Sequence, residues 1–197
     1  LRIPRGKEIT GDIFLIKLFN KLEDARELSA MVNACSRLGS HDVALKFCME
    51  VPGARKEAEE IHIKYKQHIM SALDFVAKKE KIQGKGFVII NAQDKIIDTI
   101  IGTIASILSN SSMYEDGTII ITMAYYEDKV KVSARAAGRN SSGTGRNVRE
   151  ILNSVIKEIG GEVGGHEFAA GCMIHKSKEN DFIEVLKKNL EIELVKI

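Results

Sequence analysis

Gly164-Gly165-His166-Glu167-Phe168-Ala169-Ala170-Gly171 sets one imidazole among three glycines and two alanines, directly after a strongly patterned helix. With side chains almost absent, another molecule can approach the backbone closely. His166 is the group in this stretch that can donate to an anion or exchange a proton near neutral pH. The stretch fits the wall of a pocket for a phosphate-bearing ligand. Read alone, it also fits a tight turn with a bystander histidine. Its place between a helix and a strand, close to two further motifs, favours the pocket.

The first of those motifs is Lys129-Val130-Lys131-Val132-Ser133-Ala134-Arg135. Strand alternation puts Lys129, Lys131, Ser133 and Arg135 on one face, about 7 Å apart along the chain. Arginine offers a fork of donors that matches a phosphate in bidentate fashion. A row of cations with a hydroxyl suits an anion, and a solvated outer face suits the same pattern equally well. The second motif, Gly138 to Arg149, is a loop rich in glycine and hydroxyl groups that runs into a helix. Amides at a helix start favour anions, and Arg139, Arg146 and Arg149 add positive charge. The Gly-Lys-Ser/Thr ending of a P-loop is missing, and a surface loop is the alternative.

The other histidines carry less. His62 and His68 lie on different faces of a long helix, His41-Asp42 has no companion at metal-ligand spacing, and His175 closes a strand. The three cysteines, Cys35, Cys48 and Cys172, form no Cys-x-x-Cys pair, so neither zinc nor a disulfide framework is indicated and a reducing cytoplasm is the expected compartment. A net charge of +2 is too small for nucleic-acid binding through bulk electrostatics, so such binding needs a local basic patch. No apolar run approaches the roughly 18 residues of a membrane span, and no signal peptide is visible. The chain opens on Leu1 without Met, which suggests a piece of something longer.

These motifs need elements to hold them. With 44% hydrophobic and 28% charged residues in 197, the chain can build a sizeable core. Residues 1–82 carry helical periodicity: a short helix capped by Asp12 and running to Lys21, a second from Glu23 to Leu38, a third from Asp42 to Glu50, and a long one from Ala54 to Ile82. The last has a narrow stripe of Ala58, Ile61, Tyr65, Ile69, Ala72 and Val76, as expected of a connector lying along another element. After a break at Gln83–Gly86, residues 86–197 alternate strand and helix signals. Strands are expected at 87–90, 118–122, 129–136 and 171–175, and helices at 94–109, 147–159 and from Ser177 to Leu190. The fold class is α/β, a helical N-terminal arm followed by a compact lobe with a mixed sheet.

Lys131–Arg135, followed about 30 residues later by Gly164-Gly165-His166-x-x-Ala-Ala-Gly, resembles the DHH-associated C-terminal domain of DHH-family phosphoesterases. Upstream, Asn33-Ala34-Cys35-Ser36-Arg37-Leu38-Gly39 is similar to a stretch of RecJ-type single-strand nucleases, and the archaeal RecJ-like branch, whose members can associate with the GINS replication complex, fits best. The resemblance implies phosphate-contacting roles for Ser133, Arg135, Gly164, Gly165 and His166, and further roles for Asn33 and Arg37. Arg139 and Arg146 are added from the charge pattern alone. In that family the two-metal site, usually manganese, with magnesium as the alternative, belongs to an N-terminal lobe with an Asp-His-His motif, and this chain has no such motif. The resemblance therefore implies the substrate-binding portion of a single-strand exonuclease, with no cofactor of its own. A protein-interaction module that docks a replication factor and a domain for short RNA or cyclic dinucleotides are the competing readings. A similar domain also occurs in alanyl-tRNA synthetases.

Overall fold

A computed structural model describes residues 11–138 and 146–195. The chain divides into two compact units between Met70 and Ser71, twelve residues earlier than the end of the expected arm. The last turns of the long helix, with buried Ala72 and Val76, belong to the second unit.

The first unit begins with a hairpin, β1 (Leu15–Leu18) and β2 (Lys21–Asp24), where a helix from Asp12 to Lys21 was expected. Phe19 and Asn20 both adopt positive φ (49° and 59°), the requirement of a two-residue turn whose twist matches that of the strands. The apolar run Ile13-Phe14-Leu15-Ile16 has no period that separates strand from helix. Asp24 ends the hairpin and starts α1 (Ala25–Arg37) by accepting a hydrogen bond from the Arg26 amide at 2.9 Å. Helix α2 (His41–Cys48) follows, and Leu28, Met31, Cys35, Val43, Phe47, Ala54 and Ala58 form the core of this unit. Helix α3 (Ala54–Lys78) contributes residues to both units, and its expected stripe is buried or half-buried at every position.

In the second unit β3 (Ile82–Gly84), β4 (Phe87–Asn91), β5 (Ile119–Tyr126), β6 (Lys129–Ala136), β7 (Glu162–His166) and β8 (Ala169–His175) form one sheet in the order β3-β4-β5-β6-β8-β7. Only the β4–β5 pair is parallel. Its crossover contains α4 (Ile101–Ser109), which starts seven residues later than the expected Asp94 cap. Residues 92–100 are spent in turns closed by Lys95 N–H to Ala92 O and Ile100 N–H to Ile97 O. The mixed α/β class holds. Strands β3 and β7 are not signalled by the sequence: the first is three residues long, and the second carries two glycines, which strands disfavour.

Alternation gives the sheet two distinct faces. One carries Ile119, Ile121, Met123, Val130, Val132, Ala134, Cys172 and Ile174 against α5 (Val148–Ile159) and α6 (Glu179–Val195) in the main core. Burial there pushes the Cys172 thiol from 9.0 up to about 12. At the start of α6, Glu179 accepts from the Tyr125 hydroxyl at 2.7 Å and from the Asn91 amide, and the carboxylate raises the tyrosine's pKa. The other face carries Lys131, Ser133 and Arg135, with α4 packed over β5 and β6.

Candidate phosphate-binding site

Register decides which motif residues meet. Arg135 pairs with Ala169, and Ala169 pairs with His166 on its other side. Directly paired residues project to the same face, so Arg135, Ala169 and His166 form one cross-strand row. The next row is Ser133, Gly171 and Gly164, and the third is Lys131, Met173 and Glu162. Arginine and histidine therefore face the same side, two strand spacings or roughly 10 Å apart at the backbone. Between them lies the Ala169 methyl, with Gly171 and Gly164 in the row beside it.

Helix α4 borders this surface. The Thr122 hydroxyl donates to Ile101 O at 3.1 Å, and Arg135 Nε donates to Ser106 Oγ at 3.3 Å. Gly102 sits where a Cβ would lie 3.5 Å from Ser133 Oγ and 3.8 Å from Arg135 Nη2. Arg135 Nη1 donates to the carbonyls of Ala134 at 2.8 Å and Ala170 at 3.4 Å, which holds the guanidinium on the sheet. Ser133 is buried, Arg135 half-buried, Ala169 and Gly171 half-buried, and Gly164 and His166 exposed. The surface thus runs from a covered edge at α4 to an open edge at β7.

His166 closes the hairpin of β7 and β8, whose turn is Glu167-Phe168. Its Nδ1 accepts from the Phe168 amide at 3.4 Å, which leaves Nε2 as the nitrogen able to reach a ligand. The two motif glycines differ in kind. Gly165 has φ +120°, and a Cβ there would lie 2.4 Å from Ala169 O. A Cβ on Gly164 would meet nothing within 4 Å. Chain packing accounts for the first glycine and leaves the second unexplained.

Several expectations need correction. Lys131 is not a free member of a cationic row: its ammonium lies 3.0 Å from Asp98, whose side chain is 14% exposed. Arg146 is buried at 4% exposure and donates to Gly86 O at 2.7 Å and Leu190 O at 3.3 Å, so its fork is spent on joining β3–β4 to α6. The α5 start is also occupied. Asn147 Oδ1 accepts from the amides of Arg149 and Glu150, and the Val148 amide donates to Glu167 O at 2.8 Å. The Val148 amide ties the helix start to the hairpin turn and the other two are spent on the Asn147 cap, so none of the three meets an anion. Arg139 lies outside the described residues. Asn33 and Arg37 are exposed on α1 in the first unit, where Asn33 lines a groove with Leu28, Val32 and Phe47. Gly102, Ser106 and Asp98 belong to no sequence motif, yet they border Ser133, Arg135 and Lys131. A glycine inside the apolar helix Ile101–Ser109 was the one available signal.

Among the described residues no three His, Cys, Asp or Glu side chains gather as a metal-binding group. A manganese or magnesium pair therefore does not fit the described donor set. No described helix is long and apolar enough to cross a membrane.

Residues 84–191 match the DHHA1 domain, and that is more than half of the chain. The chain belongs to the DHHA1 domain family. It is 31% identical over 188 residues to the uncharacterized protein MJ0831 of Methanocaldococcus jannaschii, covering 93% of this chain and 38% of that protein. The fold is that of RecJ from Thermus thermophilus, solved in complex with Mg2+, with a TM-score of 0.63 at 17% identity over 83% of this chain and 25% of that one. It is also that of the pGpG-specific phosphodiesterase PggH from Vibrio, with a TM-score of 0.51 at 12% identity over 84% and 59%. The chain spans well under half the length of the curated relative and of that RecJ.

Proposed function

We propose that this chain is the substrate-binding portion of a DHH-family phosphodiesterase acting on single-stranded nucleic acid. The observation that carries the reading is the row Arg135–Ala169–His166 with Ser133, Gly171 and Gly164 beside it. Arg135 supplies a permanent charge already oriented by Ser106 and two carbonyls. Ser133 supplies a hydroxyl, His166 supplies Nε2, and Gly164, where a Cβ would meet nothing within 4 Å, lets a sugar–phosphate backbone approach the sheet. Orientation fixed before binding lowers the entropy lost when the ligand docks. The RecJ and pGpG phosphodiesterase folds support a phosphodiester as the bound group.

Cleavage needs a group that activates water, and in this reading that group belongs to the rest of the whole protein. The whole protein's hydrolysis, with manganese or magnesium held elsewhere, is therefore part of the proposal and not a step of this surface. In this division of labour Arg135 neutralises the bound phosphate and His166 donates to one of its oxygens.

Fluorescence anisotropy with a labelled single-stranded oligonucleotide tests the reading. Affinity falls steeply with salt, and Arg135→Ala reduces the slope of log affinity against log salt by about 0.7, the share of one phosphate contact. Lys157→Ala, on α5, leaves the slope unchanged. Equal losses in the two variants contradict the assigned site.

A further inference from the structure

The hairpin of the first unit is apolar on both faces and open on both. Residues alternate between faces along a strand, and directly paired residues share one. Ile16 and Leu18 turn to one side, where they line a groove of about 520 Å3 with Leu28, Val32 and Phe47. Leu15 and Leu22 turn to the other, because Leu22 pairs with Lys17. Ile13, Phe14, Leu15, Ile16 and Leu22 are each between 47% and 68% exposed. A strand at a surface alternates apolar and polar residues, whereas an unbroken run such as Ile13-Phe14-Leu15-Ile16 suits a strand buried on both sides. The sheet also stops at two strands, and a two-stranded sheet is marginal in water without further strands or a packed face.

Register tells which edge is free. The Phe19-Asn20 turn makes Leu18–Lys21 the closing pair, so Leu18 and Ile16 exchange their backbone bonds with β2. In the same alternation Phe14 O accepts from the Ala25 amide at 2.8 Å. The backbone groups of Leu15 and Lys17 therefore point away from β2, along an edge that no described strand pairs. Proteins blunt an exposed edge with proline, a bulge or several charges, and β1 has Lys17 alone. More than half of the 31%-identical relative from Methanocaldococcus jannaschii lies outside the part that this chain matches, which is length enough for a further lobe.

We infer that an apolar strand from the remainder of the whole protein adds to the outer edge of β1, so that the hairpin is the margin of a larger sheet. Main-chain bonds to Leu15 and Lys17 fix the register of the added strand, and its apolar side chains cover Leu15 on one face and Ile16 on the other. The inference rests on the reading of this chain as a portion of a longer protein, and it is independent of the phosphate contacts at Arg135.

The test is hydrogen–deuterium exchange resolved to single amides, compared between this chain and the whole protein. The Leu15 and Lys17 amides exchange at least about tenfold more slowly in the whole protein. Lys17→Pro sharpens the comparison, because an edge strand tolerates proline where the missing N–H faced outward. In this chain the variant keeps the protection of the Ile16 amide, which bonds inside the hairpin. In the whole protein it abolishes the added protection of Leu15. Ile16→Pro, the control, opens the hairpin in both. Equal exchange of Leu15 and Lys17 in the two proteins overturns the inference. So does added protection that survives Lys17→Pro, which shows packing without strand pairing. Protection that rises with the concentration of this chain alone gives the edge to a second copy and overturns it as well. A whole protein with protected Leu15 and no affinity for oligonucleotides overturns the phosphate reading and leaves this one standing.

Discussion

Arg135 and His166 stand in one cross-strand row, each paired with Ala169, so a central strand and the edge hairpin present their functional groups to the same side of the sheet. The chain achieves this across thirty intervening residues because the Val148 amide and Glu167 O tie the α5 start to the hairpin turn. The side chains between the pair are minimal, and that makes the row a surface a ligand can lie on.

The two motif glycines should separate stability from binding. Gly165→Ala forces a side chain onto φ +120° and into Ala169 O, and should cost about 2 kcal/mol or more. Gly164→Ala meets nothing, so its stability should change by less than about 1 kcal/mol while oligonucleotide affinity drops severalfold. Thermal melts beside anisotropy check both. A stable Gly165→Ala protein contradicts the packing argument.

Gly102→Ala should stabilise and impair at once. Gly102 lies in the first turn of α4, where alanine gains up to about 1 kcal/mol over glycine, at most roughly 3 °C in melting temperature for a chain of this size. The new methyl would stand 3.5 Å from Ser133 Oγ and 3.8 Å from Arg135 Nη2, filling the space in which a phosphate would meet them. Weaker binding with a higher melting temperature is the expected signature. Unchanged affinity would remove Gly102 from the site.

Arg146 should behave oppositely to Arg135. Removing it takes a donor from the Gly86 carbonyl, which keeps the Ile119 amide, and from Leu190 O, and empties a buried side-chain site, at a cost of about 1–3 kcal/mol. At a temperature where Arg146→Ala remains folded, its salt slope for oligonucleotide binding should equal that of the unaltered chain. A reduced slope would return it to the binding surface.

Cys172 predicts an alkaline weakness. Its thiol ionises at 9.0 when unfolded and at about 12 when folded, because burial disfavours the thiolate. Between those values the unfolded state holds fewer protons, so stability is full below pH 9.0 and falls as pH rises, by up to about 1.4 kcal/mol per pH unit. Denaturant titrations from pH 8 to 11 should show this decline, and Cys172→Ala should flatten it. In the native chain at pH 8, exposed Cys48 should react with a thiol reagent well before Cys35 and Cys172. Fast labelling of all three would contradict the burial.

Much of this architecture was legible in the sequence. The Val-rich alternation of Lys129–Ala136 and the helix Val148–Ile159 are strongly periodic, and both elements formed where expected. The misses share physical causes. Ile13–Ile16 is too short and uniform for periodicity to separate strand from helix, and the Phe19-Asn20 turn chose the hairpin. Gly164 and Gly165 read as a bend because glycine weakens strands, yet pairing with β8 carries them into the sheet. At the site, alternation alone put Ser133 and Arg135 on one face. It could not show that Asp98 neutralises Lys131 or that Arg146 turns inward, because both outcomes depend on partners distant in the chain.

The most direct test of the shared surface is the NMR signal of the His166 ring during titration with a thymidine dinucleotide, in the unaltered chain and in Arg135→Ala. The His166 ring resonances should move with saturation in the unaltered chain, and the same titration should shift to at least about tenfold higher ligand in the variant, a loss of about 1.4 kcal/mol. A dinucleotide that binds while the His166 ring stays still, or moves it identically without Arg135, would show that the two residues do not serve one ligand.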